Sequence, residues 1–235
     1  MMLLRNECLA VCVLLSAAGA VSDAHGQARV GEAVVVQKEV LHISPASTSQ
    51  MSVGDGVLRD ETVRTGAESA TRLVMADSTN LSLGANASLT LDRTVFNDER
   101  TYRDIAVKMT SGAFRFVTGH SEKAAYKIST PLATIGVRGT ILDILSQRGK
   151  TTVVLQEGGS HVCNQSGSQC IELTQPGDTA IITSSGQGRS TIKKTSTPPW
   201  TFAQACTASA GLCGVTDLAK NDASPPPDDS ALCGR

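Results

Sequence analysis

Three sets of side chains in this sequence are of types that could do chemistry: four histidines, seven cysteines and one arginine set between glycines. The histidines, His25, His42, His120 and His161, are scattered. A double-stranded β-helix could gather such residues around a metal. That arrangement needs a His-x-His strand pair with a carboxylate, which neither His42-Ile-Ser44 nor His161-Val-Cys163 supplies. They read as surface or hydrogen-bonded histidines. Cys163 and Cys170 enclose the polar turn Asn164-Gln-Ser-Gly-Ser-Gln169 between two apolar runs, which predicts a disulfide clasping a hairpin. Closing so short a loop is worth roughly 2–3 kcal/mol. Cys206 and Cys213 repeat the spacing and are expected to pair likewise, leaving Cys233 free or intermolecular. A metal centre is the competing reading; it lacks a CxxC pair and a nearby His, so no metal ligand and no cofactor is assigned.

The arginine is Arg138, in Thr130-Pro-Leu-Ala-Thr-Ile-Gly-Val-Arg-Gly-Thr140, where it is the only charge from Thr130 to Leu142. Pro131 fixes its own φ and biases Thr130 toward extended backbone. Gly136 and Gly139 bracket Val137-Arg138 and let the chain bend or lie close to a neighbour. The expectation is a buried cross-brace, with Asp143, Glu157 and strand-end carbonyls as acceptors. The other reading is an exposed anion or partner contact. A nucleophile elbow, a phosphate loop and a paired-carboxylate cluster are all lacking. Cys206, in an exported chain, reads as a disulfide partner rather than a nucleophile. The reading is non-enzymatic, with no catalytic residue assigned.

The elements that must position these groups are strands. From Val30 to Ile182 short apolar runs alternate with turn residues, as at Leu81/Leu83, Phe114/Phe116 and Val153/Leu155, and no helical period persists. With 235 residues, 40% hydrophobic but only 3% aromatic, the core must be built from Val, Leu, Ile and Ala. The net charge of -1 gives nucleic acid no electrostatic footprint. Met1 to Ala20 reads as an export signal: Arg5, an apolar centre from Leu9 to Leu15, and Ala18-Gly-Ala20 for cleavage, which could fall as late as residue 28. Its apolar run is short of the ~20 residues needed to span a bilayer, so no membrane anchor is expected after cleavage. Asn97 to Asp104 reads as a charged surface loop. After about Gly186 the chain turns polar and irregular; Trp200 and Phe202 read as anchors that pin this tail, and Thr201 to Cys213 could hold a short helix.

A set of ordered pieces carries a resemblance. They are Val53-Gly-Asp-Gly-Val57, Asp60-Glu-Thr-Val-Arg-Thr-Gly66, Ala70 to Leu83 with its Asp77-Ser78 turn, Ser111-Gly-Ala-Phe-Arg-Phe116, the Thr130–Thr140 motif and Val153-Val-Leu-Gln-Glu-Gly158. In order and spacing they resemble the FecR-type periplasmic β-domain. The resemblance implies an all-β fold of short stacked strands, compact and solenoid- or jelly-roll-like, over residues 30–186. The resemblance does not reach residues 187–235, which composition and cysteine spacing read as an irregular, disulfide-tied tail. Thr130, Pro131, Gly136, Val137, Arg138, Gly139 and Thr140 are its family-motif positions.

FecR-type sensors have a cytoplasmic helical segment, a membrane helix and a periplasmic domain that touches an outer-membrane receptor. This sequence departs from that plan, with a removable signal in place of the first two. What the resemblance carries over is a periplasmic or secreted recognition or signalling module acting through protein partners of the cell envelope. The alternative is an envelope-associated structural or cell-wall glycan-binding protein. With two Tyr and one Trp there is little material for a glycan groove.

Overall fold

The structure is a computed structural model, and it describes residues 29–96, 102–121, 126–186 and 188–205. The first strand, β1 (Arg29–Gln37), is followed by the hairpin β2 (Val40–Ile43) and β3 (Thr48–Gln50). Next come β4 (Gly56–Leu58), β5 (Thr62–Thr65) and the hairpin β6 (Ala70–Met75) and β7 (Asn80–Leu83). Then follow β8 (Ser88–Phe96), the long β9 (Tyr102–Val117), β10 (Tyr126–Ser129) and β11 (Ala133–Val137). The series continues through β12 (Ile141–Gln147), β13 (Lys150–Glu157), β14 (Ser160–Asn164) and β15 (Cys170–Leu173). It closes with β16 (Thr179–Gly186), β17 (Arg189–Thr195) and the single turn α1 (Phe202–Ala205). The Asn97–Asp104 excursion is therefore shorter than its charges imply, because Tyr102–Asp104 already belongs to β9.

Among the described residues the strands form two layers that share β9. One layer runs β4-β1-β6-β7-β9-β12-β13-β16-β17. The other runs β3-β2-β5-β8-β9-β10-β11-β14-β15. Every neighbouring pair is antiparallel except β9–β10. From β10 onward whole hairpins alternate between the layers, which is the stacked course the sequence implied. Gly112 makes the sharing possible. Its φ is +100°, and a Cβ there would lie 2.3 Å from Ala87 Cα, so only glycine lets β9 leave one layer for the other at this point.

Period-2 burial fills the space between the layers. Leu91, Val107, Ile128, Ile135 and Val162 stand side by side on adjacent strands of one layer. Facing them, Leu81, Phe116, Leu142 and Leu155 do the same in the other. All nine are 0–1% exposed and join one apolar core. Each such burial is worth about 1.5–3 kcal/mol.

A polar cluster interrupts this core at the β6–β7 end. Asp77, in the β6–β7 turn, accepts hydrogen bonds from the Ser121 and Tyr126 hydroxyls, both at 2.6 Å, and from the Thr79 amide at 3.0 Å. The Tyr126 ring meets Phe116 edge-on, with centroids 5.6 Å apart. Burial, followed by the bond to Asp77, pushes the Tyr126 phenol up to about 12. A raised phenol favours the neutral folded form; its stabilisation is complete below the unfolded value near 10 and disappears as pH rises through about 12. An alkaline titration followed by tyrosinate absorbance should show one phenol near pH 12 that is missing from Tyr126→Phe. That variant should also lose about 1–3 kcal/mol, because the buried Asp77 carboxyl loses a hydrogen-bond donor. Among the described residues no helix is long and apolar enough to cross a membrane.

Candidate functional site

Most of the Thr130–Thr140 motif is internal scaffolding. Thr130 is buried, and its hydroxyl accepts from the Ala133 amide at 3.0 Å, closing the turn between β10 and β11 behind the exposed Pro131. Val137 faces the core. Thr140 is 2% exposed; its hydroxyl donates to the Gly159 carbonyl at 2.7 Å and accepts from the Arg138 amide at 2.8 Å. Thr118 donates through its own hydroxyl to the Thr140 carbonyl at 2.9 Å. The motif therefore ties the end of β9 and the β13–β14 turn to one bend.

Arg138 lies outside that scaffolding. It is exposed, and its guanidinium makes no hydrogen bond or ion pair with a described residue. The buried brace expected of it exists elsewhere: Arg115 on β9 pairs with Asp143 on β12. Nε meets Oδ1 at 2.6 Å and Nη2 meets Oδ2 at 2.9 Å, with the two side chains 1% and 0% exposed. Asp143, a candidate acceptor for Arg138, is thus already occupied. The Gln156 amide and the Phe202 backbone N–H also donate to it, at 2.9 and 3.0 Å. The Arg115 guanidinium lies 5.4 Å from the Phe202 ring centre, so this pair anchors the segment after β17 to the sheet. Sequence alternation places both residues on the outward face of their strands. Burial there depends on Phe202 folding back over them, which no local pattern announces.

With Arg138 exposed, the motif borders a groove of about 580 Å³ on the outer face of β10, β11, β14 and β15. The register sets Lys127, Gly136, His161 and Glu172 in one row across those strands. Gly136 is the gap in that row. A Cβ on it would meet nothing closer than 3.8 Å, so neither packing nor backbone demands glycine here. Its effect is to leave the groove floor open between Lys127, Arg138 and His161. His161 Nδ1 lies 2.6 Å from Glu172 Oε1. Because a carboxylate only accepts, Nδ1–H is the donor in this contact.

Cys163 and Cys170 oppose each other across the β14–β15 hairpin and form the disulfide read from their spacing. The absence of a nearby His, which counted against a metal there, does not hold: His161, two residues before Cys163, places Nε2 3.1 Å from Cys163 Sγ. His42 is satisfied, set between the buried Glu61 and Asp55. The Ser52 amide, and then His42, hold the Asp55 carboxyl below the usual carboxylate range. His120 is exposed. His25, Cys206, Cys213, Cys233 and the Met1–Ala20 segment lie outside the described residues.

Residues 61–159 match the family described as FecR protein, a span from the start of β5 to the β13–β14 turn. The resemblance read from the ordered motifs is therefore shown over that span, and it includes the Thr130–Thr140 motif. His161 and Glu172 lie beyond it, so the groove is half inside and half outside the matched region. Two crystal structures of a candidate anti-sigma factor from Parabacteroides distasonis ATCC 8503 are similar, each at 17% identity with TM-scores of 0.45 and 0.44. The match covers 56% of this chain and 58% of theirs, so this chain spans under two thirds of their length. No curated protein matches.

Proposed function

We propose that this FecR-domain chain is a non-enzymatic, exported recognition module that regulates through protein contacts in the cell envelope, and that the groove over Gly136 is its contact surface. The observation that carries the reading is Arg138: in a motif whose threonines tie backbone and whose Val137 packs in the core, it is the charged side chain left exposed beside an open groove, without a partner among the described residues. A guanidinium presented this way suits a carboxylate or a carbonyl-rich loop of a protein partner. The FecR match supports a regulatory rather than a catalytic role. Export rests on the Arg5, Leu9–Leu15 and Ala18-Gly-Ala20 pattern.

The test is in-cell photo-crosslinking with the probe at Lys127, followed by mass spectrometry of the captured proteins. The unaltered groove should enrich a defined envelope protein. Arg138→Ala and Gly136→Leu should each reduce that capture at least about tenfold, the effect of losing one well-placed contact of about 1.4 kcal/mol. Both should change stability by no more than about 0.5 kcal/mol, as exposed substitutions without strain do. Capture that is unaffected by both variants would sink the groove assignment. Crosslinks confined to cytoplasmic proteins would sink export.

A further inference from the structure

We propose that the outer face of the β14–β15 hairpin is a thiol-gated site for one zinc-like divalent cation, closed while Cys163 and Cys170 form their disulfide and opened by reduction. Strand geometry makes the site. Residues two apart share a face of a strand, so His161 and Cys163 project together from β14. Cys170 stands opposite Cys163 and Glu172 opposite His161. The ligand atoms of His161, Cys163 and Cys170 all lie within 4.8 Å of one another. Zinc bonds of about 2.3 Å to sulfur and 2.0 Å to nitrogen place tetrahedral ligands roughly 3.3–3.8 Å apart. Parting the two sulfurs by less than 2 Å therefore brings all three groups to one ion.

The imidazole is already set for this role. Glu172 holds the ring through Nδ1–H, 2.6 Å from its Oε1, which leaves Nε2 as the nitrogen that faces the sulfurs, 3.1 Å from Cys163 Sγ. A carboxylate that orients a ligating histidine from its far nitrogen is the usual outer support of a zinc site. Two thiolates neutralise the dication, and the exposed face leaves a fourth position for water. Cys170 is exposed and Cys163 partly so, which gives a reductant access.

A water-soluble phosphine takes oxygen from one water and becomes its oxide; the S–S bond breaks, and the two protons of that water go to the two sulfurs. The cation then displaces both protons to solvent, forming two metal–sulfur bonds and one metal–nitrogen bond.

The experiment uses the full chain with Cys8, Cys12, Cys206, Cys213 and Cys233 changed to Ser, and Co²⁺ as the probe with Zn²⁺ in competition. After phosphine reduction the chain should bind one Co²⁺, with a near-ultraviolet sulfur-to-cobalt band that Zn²⁺ abolishes. The oxidised chain should show no such band. Glu172→Gln should weaken binding by about tenfold, and His161→Ala should weaken it further. No band on reduction, equal affinity in His161→Ala, or an equal response from oxidised protein would overturn the site. If reduction unfolds the chain, Zn²⁺ must restore its far-ultraviolet circular dichroism; failure to do so would overturn it as well.

Discussion

Asp143→Ala should lower the unfolding free energy by about 3–5 kcal/mol, the usual cost of removing one partner from a buried ion pair. The carboxylate it removes serves three donors: the Arg115 guanidinium, the Gln156 amide and the Phe202 backbone N–H. The Arg115 guanidinium and the Phe202 N–H would lose this acceptor where Arg115 is 1% exposed and Phe202 0%, so water replaces those bonds poorly. Arg115→Met combined with Asp143→Leu should recover most of the loss, because an apolar pair needs no partner there. Urea denaturation measures both variants. The only Trp, Trp200, packs beside Phe202 against Ala70 and Ala113, so its fluorescence should shift to the red in Asp143→Ala as this segment loosens. A loss under about 1 kcal/mol with unchanged fluorescence would show that the pair is not what holds the segment down.

Gly158→Ala should lower the unfolding free energy by about 2–5 kcal/mol. Its φ of +83° disfavours any L side chain, a term of roughly 1–2 kcal/mol. A Cβ would also fall 1.8 Å from the Gly139 carbonyl oxygen and 3.1 Å from Thr140 Cα. Those atoms are backbone, so no rotamer can relieve the clash; the bend carrying Arg138 must shift instead, at a further cost of about 1–3 kcal/mol. Gly136→Ala, three residues before Gly139, makes the control. It meets nothing within 3.8 Å and should be neutral within about 0.5 kcal/mol. Thermal or urea melts of the two variants side by side would separate a glycine the backbone needs from one that only keeps a groove open. Equal melts would show that the Gly139–Gly158 approach can be relaxed cheaply.

The layered β architecture was legible because strand burial has a period of two, and pairs such as Leu81/Leu83 and Phe114/Phe116 state it directly. The Cys163–Cys170 disulfide was legible too, since a polar turn between two apolar runs brings its ends together. The Thr130–Thr140 segment could be read as a motif, yet its apolar and threonine positions turned out to be ties within the scaffold. Gly112 gave no local sign that β9 changes layers there, because a glycine that permits φ of +100° looks in sequence like any other.

The candidate site divides the same way. His161-Val-Cys163 announces two side chains on one face, but Glu172 and Cys170 join them only through the β14–β15 register. Arg138 and Arg115 are each an isolated charge among apolar strand residues, and alternation points both away from the core. Local chemistry by itself determined the strands, their turns and one disulfide, since each depends on residues close along the chain. Which arginine is buried, which glycine is indispensable and which side chains share the groove were decided by tertiary structure. Each of those depends on what a distant segment, such as Phe202, Gly139 or Glu172, brings against it.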